Sequence, residues 1–332
     1  MRALEFHGPR DLRLVSRPEL TIPVGQQVLF RPTLAGICGT DRAIFLGHYD
    51  CTPPRLGHEA VGVVEAVGDD VEGLRPRDRV ILDPTQSCGA CRRCVRGETS
   101  HCVNKGPLEI GVGRDGAFRQ GMLIEARALH RLRDDMSDRH AVLIEPLACV
   151  LNALDKSGAA AGDRVTVIGG GPMGVLAAQV AQRRSATVEV VEIDPYRRAL
   201  LERLAGVSII DKLVAHDGEP SATLVVDTTG TQCVEAIEYV EDGGRVCLTG
   251  CNTDAVINIR SFDLTGRCVS LIGSCDYHSS MFPVAMEYMR SLDCERLVTD
   301  VAPIESFAEA FDLLAAGSSS SYRAGKVVLA LT

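Results

Sequence analysis

Arg164-Val165-Thr166-Val167-Ile168-Gly169-Gly170-Gly171-Pro172-Met173-Gly174 is a strand, a glycine turn and the start of a helix in eleven residues. The first five form an apolar, β-branched run that predicts a strand. The last six satisfy G-x-G-x-x-G through Gly169, Gly171 and Gly174 and open a helix predicted over residues 172–183. Glycines at this spacing permit a tight turn, close backbone approach to a pyrophosphate, and close packing of helix on strand. The helix N-terminus then presents N–H groups to the anion. The spacing alone is weak evidence; the order strand, turn, helix gives it meaning.

Towards the C-terminus the same rhythm continues through residues 187–191, 195–204, 223–227, 231–240, 245–249 and 269–273. Strands alternating with helices of this length predict βαβ units and a parallel sheet. An acid ending the second strand should hold the ribose of the adenosine. Glu192 is the first candidate and Asp194 the second. Asp194 also stands where a helix cap belongs, before Pro195 at a natural first helical position, which favours Glu192. Either acid repels a 2′-phosphate, so NAD is expected rather than NADP. The candidate cofactor contacts are Gly169, Gly171, Pro172, Met173, Gly174, Glu192, Asp194 and Arg197. Thr228 and Gly230 join them from Asp227-Thr228-Thr229-Gly230, at the carboxyl end of a predicted strand. The segment from Gly206 to Thr223 looks short, which predicts a trimmed sheet edge on the adenine side.

Towards the N-terminus the pattern changes. Residues 1–135 read as β-rich, with short runs at 2–6, 27–34, 59–67 and 79–82 between Pro and Gly punctuation. Residues 141–154 are apolar on a helical period, and 158–162 form a small-residue turn. Beyond 273 come helical stretches at 281–292 and 306–316, a short flexible loop at 318–321, and an apolar strand at 326–331.

Cys88, Cys91, Cys94 and Cys102 are spaced C-x2-C-x2-C-x7-C in a loop with almost nothing apolar to fold around. Four thiolates there match a closed tetrahedral zinc site that stabilises a coreless loop. An iron–sulfur cluster is the chemical rival. A single cluster in a β-rich region, with no Pro after the last Cys, favours zinc.

Three separated fragments supply a second ligand set: Cys38-Gly39-Thr40-Asp41, Gly57-His58-Glu59 and Glu145-Pro146. Thiolate, imidazole and carboxylate are the ligand types of a catalytic zinc with an open position. Taken singly, each has an ordinary reading: Cys38 as a core thiol, His58 as a satisfied histidine, Glu145 as a first-turn helix acid. Their joint occurrence with the four-Cys loop and the glycine turn tips the balance. Asp41 is expected to accept from the other ring nitrogen of His58 and so fix its tautomer.

Composition narrows the class. The 332 residues carry a net charge of −9, which argues against a nucleic-acid partner. Hydrophobic residues at 45% and charged ones at 24% suit a globular chain, and no apolar run approaches a membrane span. The opening residues lack a signal-peptide pattern, so a cytoplasmic location is expected. Thirteen cysteines in a reducing compartment favour metal binding over disulfides.

Together these features resemble the medium-chain zinc alcohol dehydrogenases over nearly the whole chain. Gly57-His58-Glu59 followed by Gly62, Gly68 and Val71 is similar to that family's zinc signature. The resemblance implies an α/β protein with a GroES-like β-barrel catalytic domain and a Rossmann cofactor domain. The expected division is residues 1–150, 151–273 and a return to the catalytic domain over 274–332. It implies two zinc ions per chain. One is structural, on Cys88, Cys91, Cys94 and Cys102. The other is catalytic, on Cys38, His58 and a carboxylate, with Glu59 binding or exchanging onto it. Glu145-Pro146 resembles the polyol, sugar and threonine dehydrogenase branch, where the ordinary alcohol dehydrogenases carry a cysteine. The implied activity is hydride transfer between a secondary alcohol of a small polyol, cyclitol or sugar-like molecule and NAD. A threonine-type amino alcohol is the alternative substrate, and a homodimer or homotetramer is the family habit. One departure concerns the proton path: many relatives carry a histidine five residues after the zinc cysteine, where this chain has Ala43. Thr40 then remains as the first hydroxyl, with the cofactor ribose, a water or His48 as the next partner. Two rivals are a zinc-free quinone reductase and a non-catalytic NAD-binding protein on the same fold. The intact ligand sets argue against both.

Overall fold

The computed structural model describes residues 1–49, 55–214, 221–315 and 324–332. The predicted loop at 318–321 lies outside the described residues.

The glycine-turn half forms one six-stranded sheet in which every pairing is parallel. Across it run Ser208–Ile210, Thr187–Val191, Arg164–Ile168, Ala222–Asp227, Val240–Leu248 and Ser270–Gly273. Val165, Val167, Val190, Leu224 and Val226 are buried in it, the near-continuous apolar content of strands covered on both faces. Helices Pro172–Arg183, Pro195–Leu204 and Cys233–Tyr239 connect the strands. The outermost strand is only three residues long, but the six-strand order is kept. Of the segment expected to be trimmed, residues 215–220 lie outside the described ones.

The N-terminal half builds a mixed seven-stranded sheet around the ten-residue strand Gln27–Gly36. That strand pairs antiparallel with Glu59–Val67, Met122–Glu125 and Lys326–Ala330. Pro32, which has no N–H to give a ladder, sits at a register shift of this pairing. The chain's last strand therefore belongs to its first sheet, with Val328 opposite Gly36. A separate hairpin pairs Arg2–Gly8 with Asp11–Ser16.

The single helix expected over 141–154 is two helices, Asp138–Ala141 and Ile144–Lys156. Pro146 explains the break. It lacks an N–H and clashes with the preceding turn in a helix interior, but is tolerated in a first turn, where the second helix places it. Leu147, Leu151 and Leu154 of that second helix belong to one core with Val61 and Ile81 of the first sheet and Val165 and Val167 of the second. The helix is thus shared packing for both halves. Among the described residues no helix is long and apolar enough to cross a membrane.

Candidate active site

The strand Gln27–Gly36 runs out into Cys38, which precedes the helix Gly39–Leu46. Asp41, on that helix, is fully buried. Its Oδ2 accepts from the Cys38 backbone N–H at 2.9 Å and its Oδ1 from that of Gly57 at 3.0 Å. One carboxylate thereby ties together the two turns that carry Cys38 and His58. The expected bond from the His58 ring is not made. His58 Nδ1 lies 3.7 Å from Asp41 Oδ1, beyond hydrogen-bond reach, while the carboxylate accepts from the two backbone N–H groups instead. Burial pushes the His58 pKa down, but the nearby charges of Asp41, Cys38 and Glu145 win and raise it well above its ordinary value.

Cys38, His58 and Glu59 offer a thiol, an imidazole nitrogen and a carboxylate oxygen all within 4.8 Å of one another. This donor set suits zinc, with room for a further ligand. Glu59 opens the strand Glu59–Val67 directly opposite Gly36. A Cβ on Gly36 would collide with the Glu59 carboxylate and with Lys326 Cε, so only glycine leaves space for that carboxylate. Glu59 is ion-paired with the buried Lys326 at the start of the last strand. Sequence reading missed Lys326; a lysine heading an otherwise apolar terminal run was the available signal. Burial lowers its pKa less than the Glu59 and Cys38 charges raise it.

Glu145 stands outside that set of three. It is buried in the first turn of Ile144–Lys156, and its Oε1 lies 3.9 Å from Cys149 Sγ. Desolvation pushes its carboxyl up to about 8, against the opposing charge of His58. Thr40 Oγ1 lies 3.9 Å from Cys38 Sγ. His48 is exposed, with Nδ1 3.7 Å from Asp254 Oδ2, so it faces outward.

The four loop cysteines form the other compact donor set. Sγ–Sγ separations are 3.9 Å for Cys88–Cys94, 3.5 Å for Cys91–Cys94 and 4.0 Å for Cys91–Cys102. A tetrahedron with Zn–S bonds of about 2.3 Å has edges of about 3.8 Å, so the four sulfurs fit one zinc. Backbone N–H groups of Cys88 and Asn104 each donate to Cys102 Sγ at 3.4 Å. Backbone donors from Cys94 and Val103 hold the Cys91 thiol down at about 6, so the loop already favours a thiolate there.

At the glycine turn, a Cβ on Gly174 would strike the Gly169 carbonyl oxygen, which is the close helix–strand approach the motif demands. Glu192 is buried against the turn. Its Oε2 accepts from Gly170 N–H at 2.7 Å, and its Oε1 from Ile193 and Asp194 N–H at 2.8 Å each. Asp194 caps the next helix, accepting from Arg197 N–H at 3.0 Å, as its position suggested. The Arg197 guanidinium comes within 3.8 Å of the place a Gly171 Cβ would occupy. Thr228 donates to the Ile168 carbonyl at 2.7 Å, beside the turn. Buried Asp227 organises the loop carrying Thr228 and Gly230 by accepting from Thr229, Gly230 and Gln232 N–H.

The two halves match two family models. Residues 25–134 match the alcohol dehydrogenase GroES-like domain, and residues 138–316 the glucose dehydrogenase C-terminus. D-altritol 5-dehydrogenase of Agrobacterium fabrum is 32% identical over 285 residues, covering 82% of this chain and 84% of the relative. Sorbitol dehydrogenase of Halalkalibacterium halodurans is 28% identical over 331 residues, covering 94% and 95%. Among solved structures, the alcohol dehydrogenase rspB of Escherichia coli CFT073, complexed with NADH, superposes with a TM-score of 0.89 at 27% identity, covering 100% and 99%. With its GroES-like domain, its parallel-sheet partner and relatives of this kind, the chain belongs to the zinc-type medium-chain alcohol dehydrogenase family, on its polyol and sugar dehydrogenase side.

Proposed function

We propose that the protein is an NAD-linked, zinc-dependent dehydrogenase oxidising a secondary hydroxyl of a polyol, cyclitol or sugar-like substrate. The observation that carries this reading is the meeting of Cys38, His58 and Glu59 within 4.8 Å, with Glu145 buried nearby. Residues 1–150 and 274–332 form the catalytic unit on this reading, and residues 151–273 the cofactor unit.

Zinc held by Cys38, His58 and a carboxylate from Glu59 or Glu145 supplies a Lewis acid that lowers the substrate hydroxyl's pKa, and NAD supplies the hydride acceptor. Cys38, Thr40, Asp41, His58, Glu59 and Glu145 do the remaining work of the catalytic site. Asp41 fixes the spacing of the Cys38 and His58 turns. Thr40 Oγ1 is the first acceptor for the substrate's hydroxyl proton. Ala43 offers no relay, so the next partner after Thr40 would be a ribose hydroxyl of bound NAD or a water. His48 faces outward and fits the path less well.

Gly169, Gly171, Pro172, Met173 and Gly174 form the pyrophosphate turn, with Arg197 and Thr228 beside it and Gly230 on the loop that carries Thr228. Glu192 engages three N–H groups. A carboxylate has about four acceptor sites, so one remains for a ribose hydroxyl, and none welcomes a 2′-phosphate. The test is NADH absorbance with a panel of polyols, sugars, threonine and ethanol, run with and without added zinc. Vicinal diols or polyols should outperform ethanol, and NAD should outperform NADP. Ethanol as the best substrate, or no NAD reduction across the panel, would defeat the reading.

A further inference from the structure

Two cysteines outside both ligand sets meet at the carboxyl edge of the parallel sheet. Val240–Leu248 and Ser270–Gly273 are adjacent parallel strands with Leu248 opposite Gly273. Their exits are pinned. Thr249 and Gly250 N–H donate to the Asp227 carbonyl at 2.9 and 3.1 Å, and Ser274 N–H donates to the Leu248 carbonyl at 2.8 Å. Three residues past one strand and two past the other, Cys251 and Cys275 stand with their sulfurs 3.1 Å apart. Both are solvent-exposed, whereas Cys233, Cys247 and Cys294 are buried. Together they line a cavity of about 710 Å³ with Gly250, Ser274 and Lys105. In open α/β sheets, ligands bind in the crevice outside the carboxyl ends of the strands.

We propose that Cys251 and Cys275 are a reversible dithiol–disulfide pair that closes under a hydroperoxide and restricts this cavity. Sulfur atoms in contact need to move by about 1 Å to reach the S–S bond length of about 2.05 Å. The Cys251 hydrogen bond and the Lys105 charge hold the Cys275 thiol down at about 6, which makes Cys275 the attacking thiolate. Its sulfur attacks one peroxide oxygen, forming an S–O bond as the O–O bond breaks and hydroxide departs. Cys251 sulfur then attacks Cys275 sulfur, forming S–S as S–O breaks. The Cys251 proton and one from solvent convert both hydroxides to water. Two thiols lose two electrons and two hydrogens, and one peroxide becomes two waters.

A disulfide adds a covalent link across the rim between two exits already pinned by hydrogen bonds, and so narrows the room left for a dinucleotide. The restriction of cofactor binding rests on the cofactor reading above; the bond itself does not. The zinc-loaded protein is treated with one equivalent of hydrogen peroxide and mapped by mass spectrometry without reduction. The expected result is a cross-linked peptide pair carrying Cys251 and Cys275, two hydrogens lighter, restored by dithiothreitol and missing in Cys251→Ser and Cys275→Ser. NADH fluorescence titration should show weaker binding after oxidation in the parent and no further weakening in either variant, each compared with its own reduced form. Oxidation confined to the 88–102 loop, or irreversible oxidation of Cys275 without the cross-link, overturns the pair. A cross-link with unchanged NADH affinity overturns the restriction. A reduced protein that binds no NADH defeats the cofactor reading and with it the restriction, while the peptide map still decides the bond.

Discussion

Glu192 and Glu145 show how much a single buried carboxylate is asked to do. Glu192 both accepts from the Gly170 N–H and closes the turn around Ile193 and Asp194. Glu192→Ala should weaken NAD binding and relax the discrimination against NADP. It leaves three N–H groups without their acceptor, at a cost of about 1–3 kcal/mol for each that stays buried and unpaired. Titrating both cofactors against the variant checks this, and an effect confined to Asp194→Ala would move the ribose contact there. Glu145 is held near 8 chiefly by desolvation, so it is a poorly solvated carboxylate a few residues from a thiol and next to an imidazole. Glu145→Ala should lower zinc content by about one equivalent and reduce turnover, leaving NAD binding and the four-Cys zinc in place. Undiminished turnover would reduce Glu145 to a first-turn helix acid and leave the carboxylate role to Glu59.

At the scale of elements, the 88–102 loop is short helical turns with no buried apolar residue apart from Cys102. Its order draws on sulfur and the N–H groups facing sulfur, on the Arg93–Glu98 ion pair and on bonds from Thr99 and Ser100 to Ser279 and His278. Cys94→Ser should remove about one zinc per chain and lower the melting temperature, measured by metal analysis and calorimetry. Full metal content with an unchanged melting temperature would refute the four-thiolate site. The N-terminal hairpin adds a charge cluster to its buried apolar residues Leu4 and Leu12. Buried Glu5 accepts from Arg17 at 2.9 and 2.5 Å and from Arg55 at 2.6 Å. The Arg17 hydrogen bond, helped by Arg55 and opposed by burial, holds its carboxyl below the ordinary value. A carboxyl lowered in the folded state stabilises fully above its unfolded pKa, and that contribution is lost as pH falls through the folded value. Glu5→Gln should therefore cost on the order of 1–3 kcal/mol at neutral pH, with the gap to the parent narrowing as pH drops below the carboxylate range. Denaturant melts across pH check it; a gap independent of pH would assign the loss to packing.

Across the whole molecule, the proposed catalytic cluster is assembled from segments far apart in the sequence. Cys38, His58 and Glu59 come from the first sheet, Lys326 from the final strand paired into that sheet, and Glu145 from the helix whose apolar face is shared with the parallel sheet. Gly36 is where these parts meet, because the missing side chain leaves the volume that the Glu59 carboxylate and Lys326 occupy.

Local signals determined a good part of this. The glycine turn, its strand and its helix are set by contiguous residues, so residues 164–183 are legible in the sequence alone. The four cysteines are legible for the same reason: a coreless loop with four thiols in fifteen residues has few other ways to be ordered. The strands Met122–Glu125, Leu129–Arg131 and Val298–Pro303 and the helix Gly39–Leu46 are not. The strands are three to six residues long and draw their pairing from distant partners, which carry no local periodicity. Pro146 alone does not announce that one helix becomes two. The tertiary structure alone decided which acceptors Asp41 takes, the burial of Lys326 against Glu59, the position of Glu145 outside the tight trio, and the meeting of Cys251 with Cys275. Each depends on register between segments far apart in sequence, and a contact set by strand register leaves no trace in the residues on either side of it.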